Sequence, residues 1–528
     1  MRAGIVAVTL CAVVHAAEVA FAAPRPVRCI LSGFEIGAVS PEELLANAVA
    51  LDRLPFDGVT VYVYRDLPDG TRLSREKIMG DAKVMEKFGR SNWTRENVAP
   101  LIPVLREYAK HRSLRESLLT FRGTTTYHLD WTNDVAWAQA GENLSVLAWL
   151  AKEGGLKGLV GDFEDYLKTS QYVWRKDGRD PPYATTRSLA RRRGREVFGK
   201  VFEVYPNVTI LFYQFLTAQA RYQAERDPVE RAREFRDLWP AFCDGILDAL
   251  PPGAKIVDGC ETSGYRCEAA NGDFYKQAAF QMGGALGLVS PENRAKYRAQ
   301  TSVSFGMFID GYAMTNMVSK WYRGPVEGSR LKAFRNDFAQ ACETVDEYVW
   351  LWCQDGRWAD WPGAARNMKI AKWRPWEEQI PGVTRTIAYT LHPEEAVLDA
   401  RRDSATAGVY TNLVASKTHG RTFRGARTCL NLPVQGVHPG ERYGIAYSRR
   451  GDGERSQVAW RKDGQWNWGL ACAFPALSLP DESGLRWRTC FATVPEGANE
   501  LVLQIIVNQG QDEKLEIGDV DIFRVVAQ

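Results

Sequence analysis

Leu156-Lys157-Gly158-Leu159-Val160-Gly161-Asp162-Phe163-Glu164-Asp165-Tyr166 is the stretch on which the fold turns. Gly158 to Phe163 has the length and apolar character of a buried strand, and Leu156-Lys157-Gly158 reads as the short turn that delivers the chain into it. An amphipathic segment, Ala136 to Lys152, precedes it and ends at Gly154-Gly155, and another, Arg187 to Val204, follows and ends at Pro206. Working outward, the same alternation recurs. Strands are expected at Val27 to Phe34, Gly58 to Tyr64, Leu118 to Tyr127, Gly158 to Phe163, Val208 to Phe215, Lys255 to Cys260, Ser302 to Ile309 and Tyr348 to Cys353. Most are rich in β-branched or aromatic residues. Further helices are expected at Pro41 to Leu51, Asn97 to His111, Val229 to Leu250 and Arg330 to Asp346, each with apolar residues at helical spacing. Eight successive βα units predict an α/β fold, a closed (β/α)8 barrel of the TIM type. A doubly wound open sheet is the alternative, but no Gly-rich nucleotide fingerprint follows the first strand.

Local signals agree with this pattern. Ser40 before Pro41, with Glu43 three residues on, has the form of a capping box. A last helix is expected from Trp376 to about His392, interrupted at Pro381-Gly382, and then the rhythm changes. Tyr443 to Ser448, Gln457 to Trp460, Trp487 to Val494, Glu500 to Val507 and Val520 to Val526 are short, are separated by turn-rich stretches such as Arg450-Gly451-Asp452-Gly453, and have no helices between them. They predict an all-β sandwich, jelly-roll-like, over 395–528, after a barrel domain over 23–394.

The chain of 528 residues is 45% hydrophobic and 25% charged, a composition that excludes fibrous, disordered and coiled-coil classes. Its 67 basic and 64 acidic residues leave a formal charge of +3, too small an excess to suggest a nucleic-acid partner. Arg2, the apolar run Gly4 to Val14 and Ala20-Phe21-Ala22 read together as an export signal over 1–22, so a secreted or periplasmic protein is expected. No segment has the ~20 apolar residues that a membrane span requires. Of ten cysteines one, Cys11, lies in the leader. The remaining nine are irregularly spaced and read mostly as buried thiols, with the pairing of Cys260 and Cys267 left open.

In a TIM barrel the chemistry lies at the carboxyl ends of the strands. Alternation along the fourth strand puts Asp162 and Glu164 on one face, opposite Phe163. Neighbouring carboxylates resist simultaneous ionisation, so one tends to keep its proton and serve as a general acid, as glycosidic bond cleavage requires. Glu261 ends the sixth strand at the same rim, and Asp310 ends the seventh. Glu164 as acid with Glu261 as nucleophile or base is the expected catalytic pair. Asp162 is expected to orient Glu164 or raise its pKa, and Asp310 to bind a sugar hydroxyl or replace Glu261 as second carboxylate. All four also suit structural roles, capping loop amides or pairing with Arg and Lys.

Seventeen Trp residues supply flat faces for a pyranose ring, and Trp350, Trp352, Trp358, Trp361, Trp373 and Trp376 crowd around the eighth strand. Trp131, with His128 and Asp130, and Tyr213 are further candidates for lining the mouth. The competing role for any of these rings is core packing. No His-Glu-x-x-His, Cys-x-x-Cys, Gly-x-Ser-x-Gly or P-loop occurs, and the six histidines are scattered, so no metal or organic cofactor is expected. Arg191-Arg192-Arg193 reads as a solvated helix face.

The exported barrel with acids at its strand ends resembles the TIM-barrel glycoside hydrolase superfamily over roughly residues 27 to 390, and more particularly uncharacterised exported bacterial proteins of that fold. Asp162-Phe163-Glu164-Asp165-Tyr166 is similar to the Asp-x-Glu fourth-strand motif of chitinase-like glycosidases, which implies that Glu164 is the general acid and Asp162 its assistant. The further upstream Asp of that signature falls at Val160. The second domain resembles a carbohydrate-binding module through Trp460, Trp466, Trp468 and Trp487, or else braces the barrel. The resemblance implies a secreted glycoside hydrolase with a carbohydrate substrate. Two alternatives remain: a non-catalytic polysaccharide-binding protein, and a metal-assisted hydrolase that uses Asp162, Glu164 and Glu261 as oxygen ligands.

Overall fold

The computed structural model describes residues 27–66, 72–74, 93–123, 128–164, 167, 170–219, 227–361, 372–392, 411–424, 427–451, 453–473, 476–477, 486–508 and 514–525. The leader expected over 1–22, Tyr127, Asp165 and Tyr166 lie outside them. Eight strands close a barrel: β1 (Arg28–Gly33), β2 (Gly58–Val61), β3 (Leu118–Arg122), β4 (Gly158–Asp162), β5 (Thr209–Phe212), β6 (Lys255–Asp258), β7 (Thr301–Phe308) and β8 (Tyr348–Cys353). Each pairs in parallel with its sequence neighbours, and β8 pairs with β1. All eight expected strands form, and several are shorter than their apolar runs because the chain turns at the mouth.

The helices follow the expected order with breaks that have local causes. Ser40 and Glu43 form the capping box of Pro41–Ala46. The segment expected as one helix from Asn97 breaks at Pro100 and Pro103, which open new turns where a missing N–H costs nothing. Val229 to Leu250 divides into Pro228–Glu234 and Trp239–Ala249, with Arg236 at φ 50 between them and Pro240 starting the second helix. Two long helices, Asp134–Glu153 and Tyr183–Val204, flank β4 in sequence.

Alternate residues point into the barrel, where Ile30, Leu118, Val160, Leu211, Val257, Phe308, Tyr348 and Trp350 form an inner core. Trp350 occupies the centre because its neighbours have no side chains. A Cβ on Gly306 would stand 2.5 Å from the indole, and one on Gly259 2.9 Å from its Nε1. Outward-facing residues build the larger core beneath the helices.

The second unit is a sandwich of two antiparallel sheets. Its strands are β9 (Thr411–Arg424), β10 (Arg427–Gln435), β11 (Arg442–Gly451), β12 (Glu454–Lys462), β13 (Gln465–Ala473), β14 (Ala476–Leu477), β15 (Arg486–Thr493), β16 (Glu500–Asn508) and β17 (Lys514–Val525). One sheet runs β9-β17-β11-β15-β14 and the other β10-β16-β12-β13. Ile445, Tyr447, Val458, Trp460, Leu501, Leu503 and Ile517 fill its core. Five of these strands are expected from their alternation. β9 is too polar to give such a signal, whereas β10 does alternate, with Leu430, Leu432 and Val434 packed on the core, and the sequence reading misses it. Residues 393–410, where the domain boundary is expected, are outside the described set. Cys260 and Cys267 are separate thiols, Cys267 Sγ donating to Ser263 O at 3.3 Å. Among the described residues no helix is long and apolar enough to cross a membrane.

Candidate active site

The rim of β4 is set by Asp162. Its side chain points inward from the last residue of the strand, beside Arg122, its register partner on β3. Arg122 Nε stands 3.0 Å from Asp162 Oδ2. The other carboxyl oxygen accepts the backbone N–H of Glu164 at 3.0 Å, a side-chain-closed turn that ends the strand and leaves Glu164 exposed. Phe163 points the opposite way, into an aromatic cluster with Trp239 at 4.9 Å and Phe121 at 5.8 Å. Gly123 makes room for that ring, since a Cβ there would lie 2.1 Å from it.

Glu261 is carried to the same mouth by a tight turn after β6. Asp258, buried, accepts the N–H groups of Phe215 and Thr217 at 3.0 Å each and the Thr217 hydroxyl. Cys260 then adopts a left-handed conformation, φ 46, unusual for a residue with a Cβ. Glu261 opens a one-turn helix, Glu261–Gly264, its N–H donating to Tyr213 O at 2.9 Å. Gln214 Nε2 donates to one carboxyl oxygen at 3.2 Å and the Tyr265 hydroxyl to the other at 3.4 Å. Removal of water by these neighbours, then the negative charge of Asp162 and Glu164, push the Glu261 carboxyl up to about 8, the two hydrogen bonds opposing the rise. The side chain keeps an accessible edge. At neutral pH it holds a proton beside two other acids.

Tyr213 forms the floor. It is buried, its hydroxyl is 2.6 Å from Ser32 Oγ, and Thr60 donates to that serine at 3.0 Å. Trp350 stacks on it with centroids 4.5 Å apart, and its Nε1–H donates to Gly259 O at 2.9 Å. Trp350 is fully enclosed, so it supports the pocket without offering a face to a ligand. Trp352 is partly accessible and meets Tyr213 and Phe34 edge-on at 5.8 and 5.7 Å.

Other expected site residues lie elsewhere or are occupied. Trp131 is 1% exposed and stacked on Trp137 at 4.9 Å in the helical layer, so it does not line the mouth. Large flat rings are equally suited to closing the space between strands and helices. Asp130 Oδ1 closes a turn through the N–H and hydroxyl of Thr132, both at 2.8 Å. His128 is half-buried. Asp310, 3% exposed, accepts the N–H groups of Gln354 at 2.9 Å and Asp355 at 2.7 Å, and burial raises its carboxyl to about 7. It fastens the loop after β8 and is too enclosed to hold a sugar or serve as the second carboxylate.

Sequence alone does not single out Arg122, Gln214, Tyr265 or Glu35. Arg122 and Gln214 do carry a signal, since each stands at the end of a strand-length run. Glu35 follows β1 as Glu164 follows β4, yet it is fully buried. It accepts N–H groups of Trp358, Ala359 and the Trp361 indole at 2.7 to 3.1 Å. In the sandwich, Trp460 is core and Trp466 lies under the Arg461 guanidinium at 3.7 Å. Among the described residues, no three His, Cys, Asp or Glu side chains are grouped to hold a metal ion.

No protein-family model and no curated protein matches this chain. Among solved structures, it is similar to a putative sugar phosphate isomerase/epimerase from Anabaena variabilis, with 10% identity, 72% of this chain and 99% of that one covered, and a TM-score of 0.32. It is also similar to an O-GlcNAc hydrolase mutant from Thermobaculum terrenum, with 8% identity, 72% and 66% coverage and a TM-score of 0.33. A structure titled as a CBM4 is similar over 23% of this chain and 83% of its own length, with 12% identity and a TM-score of 0.16. Likenesses this distant assign no activity.

Proposed function

We propose that this chain is an exported glycoside hydrolase whose carboxyls act at the mouth of the barrel, with Glu261 as general acid and Glu164 as the carboxylate that attacks the sugar or activates water. The observation that carries this reading is the enclosure of Glu261 by Gln214 and Tyr265 at the mouth that also holds Asp162 and Glu164, surroundings that raise its carboxyl to about 8. A proton donor next to a solvent-exposed carboxylate is the pairing that glycosidic cleavage uses. This exchanges the two roles expected from the fourth-strand motif, because burial falls on Glu261 and exposure on Glu164.

In the forward step Glu261 gives its proton to the glycosidic oxygen as the bond to the anomeric carbon breaks. Gln214 and Tyr265 hold the carboxyl in place during the transfer. Asp162 fixes Glu164 through its backbone N–H, and Arg122 beside Asp162 balances the charge that accumulates in the mouth. Trp352 and Phe34 offer the partly exposed aromatic edge over which a ring can lie. The leader expected over 1–22 supports action outside the cytoplasm.

A screen of chromogenic glycosides and polysaccharides with the wild-type, Glu164→Gln and Glu261→Gln chains tests the reading. Turnover by wild type is expected, together with a loss of about 10²–10⁴-fold in Glu261→Gln on glycosides with poor leaving groups, the usual scale of general-acid catalysis. A nitrophenyl leaving group, which departs without a proton, should recover much of the rate. Sugar binding without turnover in wild type would instead identify a binding protein, and full activity in Glu261→Gln would remove that residue from the mechanism.

A further inference from the structure

Two loops lock together beside Glu261. The turn after β6 carries Tyr265 and Arg266, and the loop after β7 carries Lys320, Trp321 and Arg323. Arg323, 8% exposed, joins them: one guanidinium nitrogen donates to Tyr265 O and another lies 3.3 Å from Glu268 Oε1. Trp321 packs edge-on against Tyr265 at 5.8 Å and Phe308 at 6.1 Å. Tyr265 is the residue whose hydroxyl reaches Glu261. Over the Trp321 ring stand two cations, Lys320 Nζ at 4.6 Å and the Arg266 guanidinium at 5.2 Å from the centroid.

Arg323 is neutralised by Glu268, but among the described residues neither Arg266 nor Lys320 has a carboxylate within ion-pairing distance or a side-chain hydrogen bond. Two like charges share one indole, one tyrosine away from the acid. Water screens their mutual repulsion and the ring partly offsets it, and an anion placed against both would be attracted by the two together. The acids of the mouth would otherwise turn away a negatively charged sugar.

We propose that Arg266, Lys320 and Trp321 form a subsite for an anionic sugar, one bearing a carboxylate or a sulfate, adjoining the bond-cleaving carboxyls. The proposal rests on the glycosidase reading for its sugar, and on the uncompensated cations for its charge. The ring gives a pyranose an apolar surface while the two cations take the anionic substituent. A substrate polymer of this class is a polyuronate or a sulfated glycan.

Binding to the full-length Glu261→Gln chain tests this without turnover. The probes are an oligogalacturonate for carboxylate, a carrageenan oligosaccharide for sulfate and a galactan oligosaccharide as neutral control, each by calorimetry at low and high ionic strength. One anionic probe is expected to bind about tenfold or more tighter than the neutral one at low salt, with the preference shrinking at high salt. Arg266→Ala/Lys320→Ala should lose the preference while its melting temperature stays unchanged, since both side chains are exposed. Equal binding of charged and neutral probes, failure of all three to bind, or an undiminished preference in the double variant would overturn the subsite. Hydrolysis by the wild-type chain is a separate readout. Turnover of neutral glycosides with no anion preference leaves the reaction and removes the subsite, and anion binding without any turnover does the reverse.

Discussion

Arg122 and Asp162 are register partners on adjacent barrel strands, with Nε 3.0 Å from Oδ2 and both side chains largely enclosed at the mouth. The pair places one positive charge among three acids. Without it, Asp162 would add its full negative charge to the field at Glu261, which already raises that carboxyl.

Replacing Arg122 with Met should therefore move the alkaline limb of kcat/KM upward, because a less compensated Asp162 holds the Glu261 proton more tightly. It should also destabilise the chain by about 2 kcal/mol, less than the ~3–5 kcal/mol of a fully buried pair because the mouth admits water. A pH–rate profile and a urea melt of Arg122→Met read the two effects. An unmoved limb would show that Asp162 does not act on Glu261.

Glu261 also makes stability depend on pH. Its carboxyl rises from 4.5 to about 8 on folding, so the folded chain holds a proton that the unfolded chain has released. The contribution of the protonated form is fully present below about 4.5 and is lost as pH rises through about 8. The wild type should thus lose stability relative to Glu261→Gln across this window. The expected loss is about 4–5 kcal/mol, at ~1.4 kcal/mol for each pH unit between the two values. Melting temperatures of the two chains in matched buffers check it, and a difference that is flat with pH counts against the retained proton.

The barrel was legible in this sequence because each strand is a short apolar run between helices of clear period, and the strand ends pointed to Asp162, Glu164 and Glu261. The roles of those acids were not legible. Gln214 and Tyr265, which enclose Glu261, come from either side of it in sequence, so its burial is a product of the tertiary fold. Trp131 and Trp350 were ambiguous for the same reason: a ring that packs a core and a ring that receives a sugar have the same sequence signature, and only exposure separates them.

Trp350 depends on the glycine opposite it. A methyl group on Gly306 would stand 2.5 Å from the indole, closer than carbon atoms approach, and β7 and β8 are held by continuous pairing that leaves little room to shift. Gly306→Ala should cost about 1–3 kcal/mol through overpacking. Because Trp350 supports Tyr213 and donates to Gly259 O just before Glu261, activity should fall along with stability. Adding Trp350→Phe to Gly306→Ala should recover part of the stability, and a double-mutant cycle by urea unfolding measures that coupling.

Glu35, in the loop after β1, offers a further test. Its carboxyl, raised to about 7 by burial, accepts only N–H donors, from Trp358, Ala359 and the Trp361 indole. An amide oxygen in the place of Oε1 can accept all three, but the NH2 group in the place of Oε2 would face the Trp358 N–H, a donor, with no acceptor of its own. Glu35→Gln should therefore destabilise the loop after β8 by about 2–3 kcal/mol, the cost of a buried donor left unpaired. The signature is specific: the fluorescence of Trp358 and Trp361 should shift to the red as their cage loosens, while Glu35→Asp, which keeps the charge on a shorter arm, should fall between Gln and wild type. Unchanged fluorescence in Glu35→Gln would mean that the surrounding packing of Trp358 on Phe56 and Trp376, at 5.1 and 6.3 Å, holds the loop by itself.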